Sequence, residues 1–288
     1  MDLANARAER GLATWIINAD SMQVYREIPI LSAAPSAEEQ AQAPHKLYGA
    51  WDGSEACSAA DWAKRAKAEI DAAHDTAALP VLVGGTGMYM KVLLEGIAPI
   101  PEIDPEIRAV VRDLPTQAAY EALMIEDPER AIQLEPGDSQ RIARALEVKR
   151  STGTTLADWQ LTKTGGIEDD IDLTALVLLP NRDWLYARCD ARFAAMLEAG
   201  AIEEVEALVR RGLDPALPVM RAIGVPEITA FLRREISHEE MVAAGTQATR
   251  NYAKRQFTWF RRQTPEEWTR IESQNVDIRD TLALLLQN

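Results

Sequence analysis

The sequence is poor in cysteine and contains no long apolar run. Its two cysteines, Cys57 and Cys189, lie far apart and form no CxxC motif or Cys/His cluster, so neither a disulfide framework nor a zinc site is expected. No stretch approaches the roughly 18 apolar residues of a membrane span. The first residues, MDLANARAERG, lack the apolar core of a signal peptide. These absences predict a protein of the reducing cytoplasm with no membrane association.

The sequence also has fewer basic than acidic residues. The chain has 31 Lys and Arg against 45 Asp and Glu, a formal net charge of −14. This balance argues against a protein that coats nucleic acid through its whole surface field, although it allows a local basic face. With 15 glycines, 15 prolines and 47% hydrophobic residues, collagen-like, low-complexity and disordered classes are excluded.

Three short apolar runs predict parallel strands, and therefore an α/β fold. They lie at residues 15–19, 80–83 and 175–179. A helix at 58–73, with Ser58 as its N-cap, fits the crossover between the first two strands. From Trp184 onward the spacing of apolar residues predicts one nearly continuous helical stretch that ends at Gly212.

The long interval between the second and third strands predicts an inserted helical domain. It begins with prolines and continues with helical patterns at residues 107–114, 117–125 and 140–150. The predicted organisation is a core domain of residues 1–104 and 170–288, with a helical insertion domain at 105–169.

Two turns after predicted strands are candidate ligand sites. Asp20 follows the first strand, where open α/β sheets place ligands, so it is either a general base or the cap of a turn. The sequence Gly84-Gly85-Thr86-Gly87 follows the second strand and precedes a helix. It either admits an anionic ligand close to the backbone or forms an ordinary strand-to-helix turn. Neither GxGxxG nor GxxxxGK[ST] occurs in the chain.

Two helical segments carry basic residues. Residues 140–148 place Gln140, Arg141 and Arg144 on adjoining turns. Residues 241–263 contain five basic residues and no acidic one, with aromatic side chains on another side of the helix. Such a helix suits phosphate contact and base stacking, or else it neutralises an acidic body.

Taken together, these segments resemble the tRNA dimethylallyltransferase family, also called tRNA isopentenyltransferases. The matching motifs occur in family order, and the resemblance extends to about residue 262. They are residues 17–26 (INADSMQVYR), 58–61 (SAAD), 83–89 (VGGTGMY), Asp138 with 140–148 (QRIARALEV) and Thr152-Gly153, 220–224 (MRAIG), and 248–259 (ATRNYAKRQFTW).

The resemblance implies a P-loop NTPase-like parallel sheet flanked by helices, with a helical insertion domain and a helical C-terminal region. It further implies transfer of a dimethylallyl group from dimethylallyl diphosphate to N6 of adenosine 37 in tRNAs that read codons beginning with U. Mg²⁺ is the implied cofactor, and the anticodon stem-loop of tRNA is the implied partner of a monomeric, cytoplasmic enzyme.

The resemblance also assigns site residues. Catalytic roles are expected for Asp20, Thr86 and Arg108, with Asp20 as the base. Thr86 and Gly85 are expected to bind diphosphate, and no protein residue is assigned to a metal. The residues expected to bind tRNA are Asp20, Ser21, Met22, Gln23, Gln140, Arg141, Ile142, Ala143, Arg144, Arg221, Arg250, Lys254 and Arg255.

Two departures from the family pattern modify these expectations. The family's glycine-rich phosphate loop, GPTxSGK[ST], does not occur in the sequence. Without that loop and its strand, we expect two unpaired sheet edges and little or no transferase activity. The family's Gly-Tyr-Arg is here Gly224-Val225-Pro226, which removes an aromatic side chain and a cation.

Other functions fit part of the same pattern. A tRNA-binding module without catalysis would keep the basic helix and the segment 140–144. A relative that prenylates free adenine nucleotides would share the chemistry, but the motif at 248–259 and the inserted helices favour the tRNA enzyme. A nucleotide kinase fits least, because the phosphate loop is missing.

Overall fold

The structure is a computed structural model that describes residues 1–273. The chain divides into two compact units. Unit 1 comprises Met1–Leu93 together with the described residues from Ile171 onward, and unit 2 is Leu94–Asp170. The last part of the predicted core domain, residues 274–288, lies outside the described residues.

A parallel sheet forms the centre of unit 1. Its strands are β1 (Thr14–Asn18), β2 (His45–Lys46) and β3 (Leu79–Val83), in the order β2-β1-β3. Ile16 of β1 faces Val81 of β3 in the register, and both neighbours of β1 run parallel to it. The predicted α/β class, with a parallel sheet flanked by helices, is confirmed. The two-residue strand β2 was not predicted, because His-Lys is too short to show any strand pattern.

Helices surround this sheet in unit 1. Before the insertion they are α1 (Asp2–Ala8), α2 (Pro29–Ser32), α3 (Ala37–Gln42), α4 (Ala59–Asp75) and α5 (Gly87–Glu95). The predicted cap of the crossover helix is confirmed: the Ser58 hydroxyl accepts the Asp61 N–H at 3.1 Å, and Asp61 in turn accepts the Ser58 N–H. Trp62 and Ile70 of α4 are buried, which gives this helix an apolar side.

Unit 2 is helical and has a core of its own. Its helices are α6 (Pro105–Asp113), α7 (Thr116–Glu126), α8 (Pro128–Ile132), α9 (Ser139–Thr152) and α10 (Leu156–Gln160). Leu123 of α7 packs in one buried cluster with Ile142 and Leu146 of α9. This apolar cluster holds the helices of unit 2 together.

The chain after unit 2 begins with a short strand and continues mainly as helix. The elements are β4 (Leu176–Leu178), α11 (Arg182–Glu198), α12 (Ala201–Arg210), α13 (Val225–Leu232), α14 (His238–Gln263) and β5 (Thr269–Ile271). The continuous helix predicted from Trp184 is wrong at one point: Gly200 has a φ of +103°, a left-handed conformation that ends α11 and begins α12.

A second sheet pairs β4 in parallel with β5. Within residues 1–273, β4 has β5 as its only strand partner and β3 has only β1. Two apolar side chains beside these edges are largely exposed, Val83 at 50% and Leu178 at 56%. In the same range no helix is long and apolar enough to cross a bilayer.

Candidate active site

The carboxyl end of β1 leads directly into Asp20. The pairing of β1 with β3 continues to Ala19, whose N–H donates to the Val83 carbonyl at 2.8 Å. Asp20 then leaves the sheet, and its Oδ1 accepts the N–H groups of Met22 at 2.8 Å and Gln23 at 3.4 Å. The side chain is therefore a turn cap. Among the described residues, the hydrogen bonds of this carboxylate all involve Oδ1.

Thr86 connects this turn to the loop after β3. Its Oγ1 accepts the Ser21 N–H at 2.9 Å and lies 3.2 Å from the Ser21 hydroxyl. Its own N–H donates to the Ala19 carbonyl at 3.1 Å. The structure thus brings together Asp20, Ser21 and Thr86, three of the predicted site residues, at one edge of the sheet.

Protein atoms occupy the space beside the glycines of the loop at 84–87. A Cβ on Gly84 would lie 2.2 Å from the Ala19 carbonyl carbon, and one on Gly85 would lie 2.1 Å from Nε2 of Gln256. A Cβ on Gly87 would lie 2.2 Å from the Trp259 ring. Close approach of Ala19 and α14 therefore accounts for the small residues, in keeping with the strand-to-helix turn that was one of the two sequence interpretations.

Gln256 and Tyr252 of α14 complete this arrangement. The Gln256 amide donates to the Gly85 carbonyl at 3.1 Å. Burial raises the pKa of Tyr252, and the side chains of Thr86, Gln256 and Ser21 lower it, so the phenol lies close to the Asp20 turn. The sequence placed Tyr252 among aromatic residues suited to stacking; its contact with the turn was not predicted, because residues so far apart in the chain carry no joint signal.

Two half-buried phenols, those of Tyr48 and Tyr252, interact electrostatically with the Asp20 carboxylate. Burial, followed by the negative charges of Asp20 and Glu39, raises the pKa of Tyr48 to about 12. Burial and then Asp20 also raise the pKa of Tyr252. Both phenols therefore stay protonated and uncharged near neutral pH, and each can donate a hydrogen bond.

The basic side chains expected to bind tRNA differ in their availability on α14. Lys254 and Arg255 are exposed. Arg250 instead pairs with Asp190 of α11, with Nε 2.7 Å from Oδ1, and this pairing lowers the pKa of Asp190. Arg221 is exposed at the end of a short 3-10 helix, Pro218–Arg221. Lys254, Arg255 and Arg221 are therefore open cations, exposed and without an ion pair among the described residues, although the Arg255 guanidinium lies 5.5 Å from the centre of the Tyr252 ring. Arg250 is already partly neutralised.

In the turn after β1, the remaining predicted contacts are half-buried. Met22 contributes its N–H to Asp20, as described above. The Gln23 side-chain amide donates to the carbonyls of Ser32 and Ala33, both at 2.9 Å. Both N–H groups of that amide are engaged within unit 1.

In unit 2, α9 carries the predicted segment 140–144. Gln140 and Arg141 are exposed, and Ala143 and Arg144 are half-buried. The Ile142 side chain is fully buried in the core of the unit, so any RNA contact at this position would involve its neighbours on α9. Arg108 is exposed on α6. Arg108 and the residues of α9 thus belong to a different unit from Asp20 and Thr86.

Comparison with known proteins identifies the family. The family model described as IPP transferase matches residues 23–263. The chain belongs to this family. A tRNA dimethylallyltransferase from Novosphingobium aromaticivorans is 58% identical over 279 residues, covering 97% of this chain and 99% of the relative. One from Erythrobacter litoralis is 59% identical over 271 residues, covering 94% of this chain and 86% of the relative.

Solved structures of the IPP transferase family agree with this assignment. The tRNA isopentenylpyrophosphate transferase of Bacillus halodurans gives a TM-score of 0.67 at 31% identity, covering 98% of this chain and 89% of that one. The corresponding protein from Staphylococcus epidermidis gives 0.67 at 28% identity, covering 99% and 92%. The family predicted from the dispersed motifs is therefore confirmed.

Proposed function

We propose that this chain transfers a dimethylallyl group from dimethylallyl diphosphate to N6 of adenosine 37 in tRNAs reading codons that begin with U. The observation that carries the proposal is the placement of Asp20. Its carboxylate is fixed through Oδ1 at the carboxyl end of a parallel strand. Membership of the IPP transferase family supports the same chemistry.

In the proposed reaction, the N6 nitrogen attacks the first carbon of the dimethylallyl group. The bond from that carbon to the diphosphate oxygen breaks, and the diphosphate leaves with the electron pair. Asp20 takes the proton that N6 loses, which helps because an amine conjugated with adenine is a poor nucleophile. Thr86 holds the Asp20 turn through Ser21. The N-terminus of α5, which begins at Gly87, offers N–H groups to the leaving anion beside Thr86 and Gly85.

Mg²⁺ is proposed to arrive with the diphosphate. Residues 1–273 contain no group of three His, Cys, Asp or Glu side chains able to hold a metal. The turn after β1 offers one carboxylate, Asp20, and Mg²⁺ needs near-octahedral oxygen coordination that one carboxylate does not supply. The described residues therefore do not fit a resident Mg²⁺ ion, and no step is assigned to one.

RNA recognition is proposed for the open cations, Lys254, Arg255 and Arg221, and for the exposed part of α9. Recognition of an anticodon loop depends on loop shape and on a base flipped from its stack, so a net charge of −14 is compatible with it. Both cysteines are unpaired thiols, as the proposed cytoplasmic location requires. We propose that the protein acts as a monomer.

The test is transfer of radiolabelled dimethylallyl to an anticodon stem-loop that has adenosine at position 37. Two forms are compared: the chain of 288 residues, and a form that also carries the family's strand and GPTxSGK[ST] loop before Met1. At least one of the two forms should modify the RNA, and that one is the active form. Within the active form, Asp20→Ala should lower the rate about 100-fold or more. Asp71→Ala, which removes an exposed carboxylate of α4, is the matched control.

Each alternative function has its own outcome. If both forms bind the stem-loop and neither modifies it, the proposal is wrong and a tRNA-binding module is supported. Transfer to free AMP in preference to the stem-loop would instead support an adenylate isopentenyltransferase. Equal rates for the Asp20→Ala and Asp71→Ala variants would remove Asp20 from the base role.

The proposed RNA contacts are tested by salt dependence. Lys254→Gln should weaken stem-loop binding and reduce the slope of log K against log salt by about 0.7, because one phosphate contact to a single strand is lost. Lys64→Gln, the same charge change on the exposed side of α4, is the control and should leave the slope unchanged. Equal slopes for the two variants would refute a phosphate contact at Lys254.

A further inference from the structure

We propose that Asn18 is a positioning residue that sets the direction of the Asp20 carboxylate. This inference rests on the proposed function, in which Asp20 is the base. Asn18 is the last residue of β1 and is fully buried. Its Oδ1 accepts the Asp20 N–H at 2.8 Å, and its Nδ2 donates to the Asp20 carbonyl at 3.0 Å. The Asn18 amide therefore holds the backbone of Asp20 on both sides of its Cα.

The third hydrogen bond of this amide reaches another loop. Nδ2 also donates to the Leu47 carbonyl at 3.2 Å. The partners of Nδ2 are both carbonyl oxygens and the partner of Oδ1 is an N–H, so only one orientation of the amide satisfies all three. Because the group is buried, water cannot replace a partner that is lost. Among the standard side chains of this size, only asparagine supplies one acceptor and two donors at these positions.

Leu47 has an unusual backbone conformation. Its φ is +63° although it is neither glycine nor asparagine, and its side chain is buried. Such conformations persist only where surrounding contacts hold them, and they concentrate at functional sites. The next residue, Tyr48, has a phenol close enough to feel the charge of Asp20. Through Leu47, Asn18 therefore also holds the segment that leads to this phenol.

Asn18 is itself fixed by a third element of unit 1. The indole N–H of Trp62 donates to the Asn18 carbonyl at 2.8 Å. The Trp62 ring is fully buried and stacks on Tyr89, with ring centroids 4.6 Å apart and planes at 18°. The backbone of Asn18 is thus held by β3 and α4, while its side chain holds Asp20 and Leu47. A base fixed in this way needs little reorganisation before it accepts a proton.

The experiment compares Asn18→Asp with Asn18→Ala and with Ile228→Val. Asn18→Asp keeps the shape and the Oδ1 acceptor but loses both N–H donors, whereas Asn18→Ala loses all three hydrogen bonds. Ile228→Val is the control for stability, because it shortens a fully buried side chain in α13, a helix that contains none of the residues of the Asp20 turn. The first readout is amide hydrogen exchange at Met22, whose N–H is bonded to Asp20 Oδ1. We expect exchange at least tenfold faster in both Asn18 variants.

The second readout is transfer to the stem-loop by the active form defined under Proposed function. Both Asn18 variants should lower kcat at least tenfold with the KM for RNA within twofold, and Asn18→Ala should add nothing to the loss caused by Asp20→Ala. Absence of transfer by the parent protein would count against the proposed function alone, and Met22 exchange would then decide the role of Asn18. Met22 exchange equal to that of Ile228→Val, or an unchanged kcat, would overturn the inference. If Asn18→Ala fails to fold, Asn18→Asp decides.

Discussion

Replacing Gly84 with alanine should destabilise this protein more than the same change at Gly85, the next glycine of the loop. The new Cβ would lie 2.2 Å from the Ala19 carbonyl carbon, 2.3 Å from its oxygen and 2.7 Å from the Asp20 nitrogen. Ordinary contacts of a Cβ lie at 3.4–4 Å. These neighbours are backbone atoms of the segment that pairs with β3, so they cannot yield as a flexible side chain does.

The expected loss follows from two contributions. Overpacking a well-packed site costs about 1–3 kcal/mol. Displacing Ala19 also strains its bond to the Val83 carbonyl, which adds about 1 kcal/mol. The total is about 2–4 kcal/mol, which corresponds to a fall in Tm of roughly 3–7 °C for a chain of this size.

Two other glycines give graded comparisons. At Gly85 the new Cβ meets the end of the Gln256 side chain, which can rotate away, so the loss is one hydrogen bond of about 1 kcal/mol. At Gly137 no atom lies within 4 Å and φ is not left-handed, so alanine should be neutral or stabilise by about 0.4–1 kcal/mol.

Urea and thermal unfolding followed by circular dichroism would measure all three variants. The expected order of stability is Gly137→Ala above wild type or equal to it, then Gly85→Ala, then Gly84→Ala. If the free energies of unfolding of Gly84→Ala and Gly137→Ala differ by less than about 0.5 kcal/mol, the close approach of Gly84 to Ala19 does not constrain the loop and the reasoning fails.

Two further predictions concern buried polar groups. The pKa of Tyr48 is raised from 10.0 to about 12, so its phenol stabilises the folded state below pH 10 and this contribution is lost as the pH rises towards 12. The urea concentration at the midpoint of unfolding should therefore fall less steeply with pH above pH 10 in Tyr48→Phe than in wild type. Equal slopes of this midpoint against pH would contradict the prediction. In unit 2, Glu147 is 2% exposed and accepts from Arg112 Nε at 2.7 Å, with Arg144 at 3.8 Å. Arg112→Ala should lower the free energy of unfolding by about 1–2 kcal/mol, because the buried carboxylate keeps only the weaker partner; thermal unfolding measures this, and a change below about 0.3 kcal/mol would refute it.

The elements with a strong local pattern were predictable from the sequence. The apolar runs at β1, β3 and β4 and the cap of α4 at Ser58 all depend on residues a few positions apart. The position of Asp20 after a parallel strand was predictable for the same reason. Its capping bonds were one of the two interpretations that the sequence left open.

The surroundings of Asp20 were not predictable, because they join distant segments. Asn18 contacts the Leu47 carbonyl, and Gln256 contacts Gly85; neither pair has a sequence pattern of its own. The break at Gly200 was missed because a glycine between two helical patterns is tolerated inside many helices, and only its φ decides. The burial of the Ile142 side chain was not predicted, because a motif match does not distinguish a side chain that meets a ligand from one that fills a core.

The length of α14, and the angular positions of its side chains around the helix axis, determine which mutations this protein can tolerate there. The helix extends over 26 residues, about 39 Å at 1.5 Å per residue. Lys254 is exposed, while Tyr252, Gln256 and Trp259 approach the loop at 84–87. Inserting one residue between Tyr252 and Gln256 would rotate everything after it by about 100°. Substitutions can therefore alter either side alone, but a single insertion or deletion in this stretch would disrupt both sides at once.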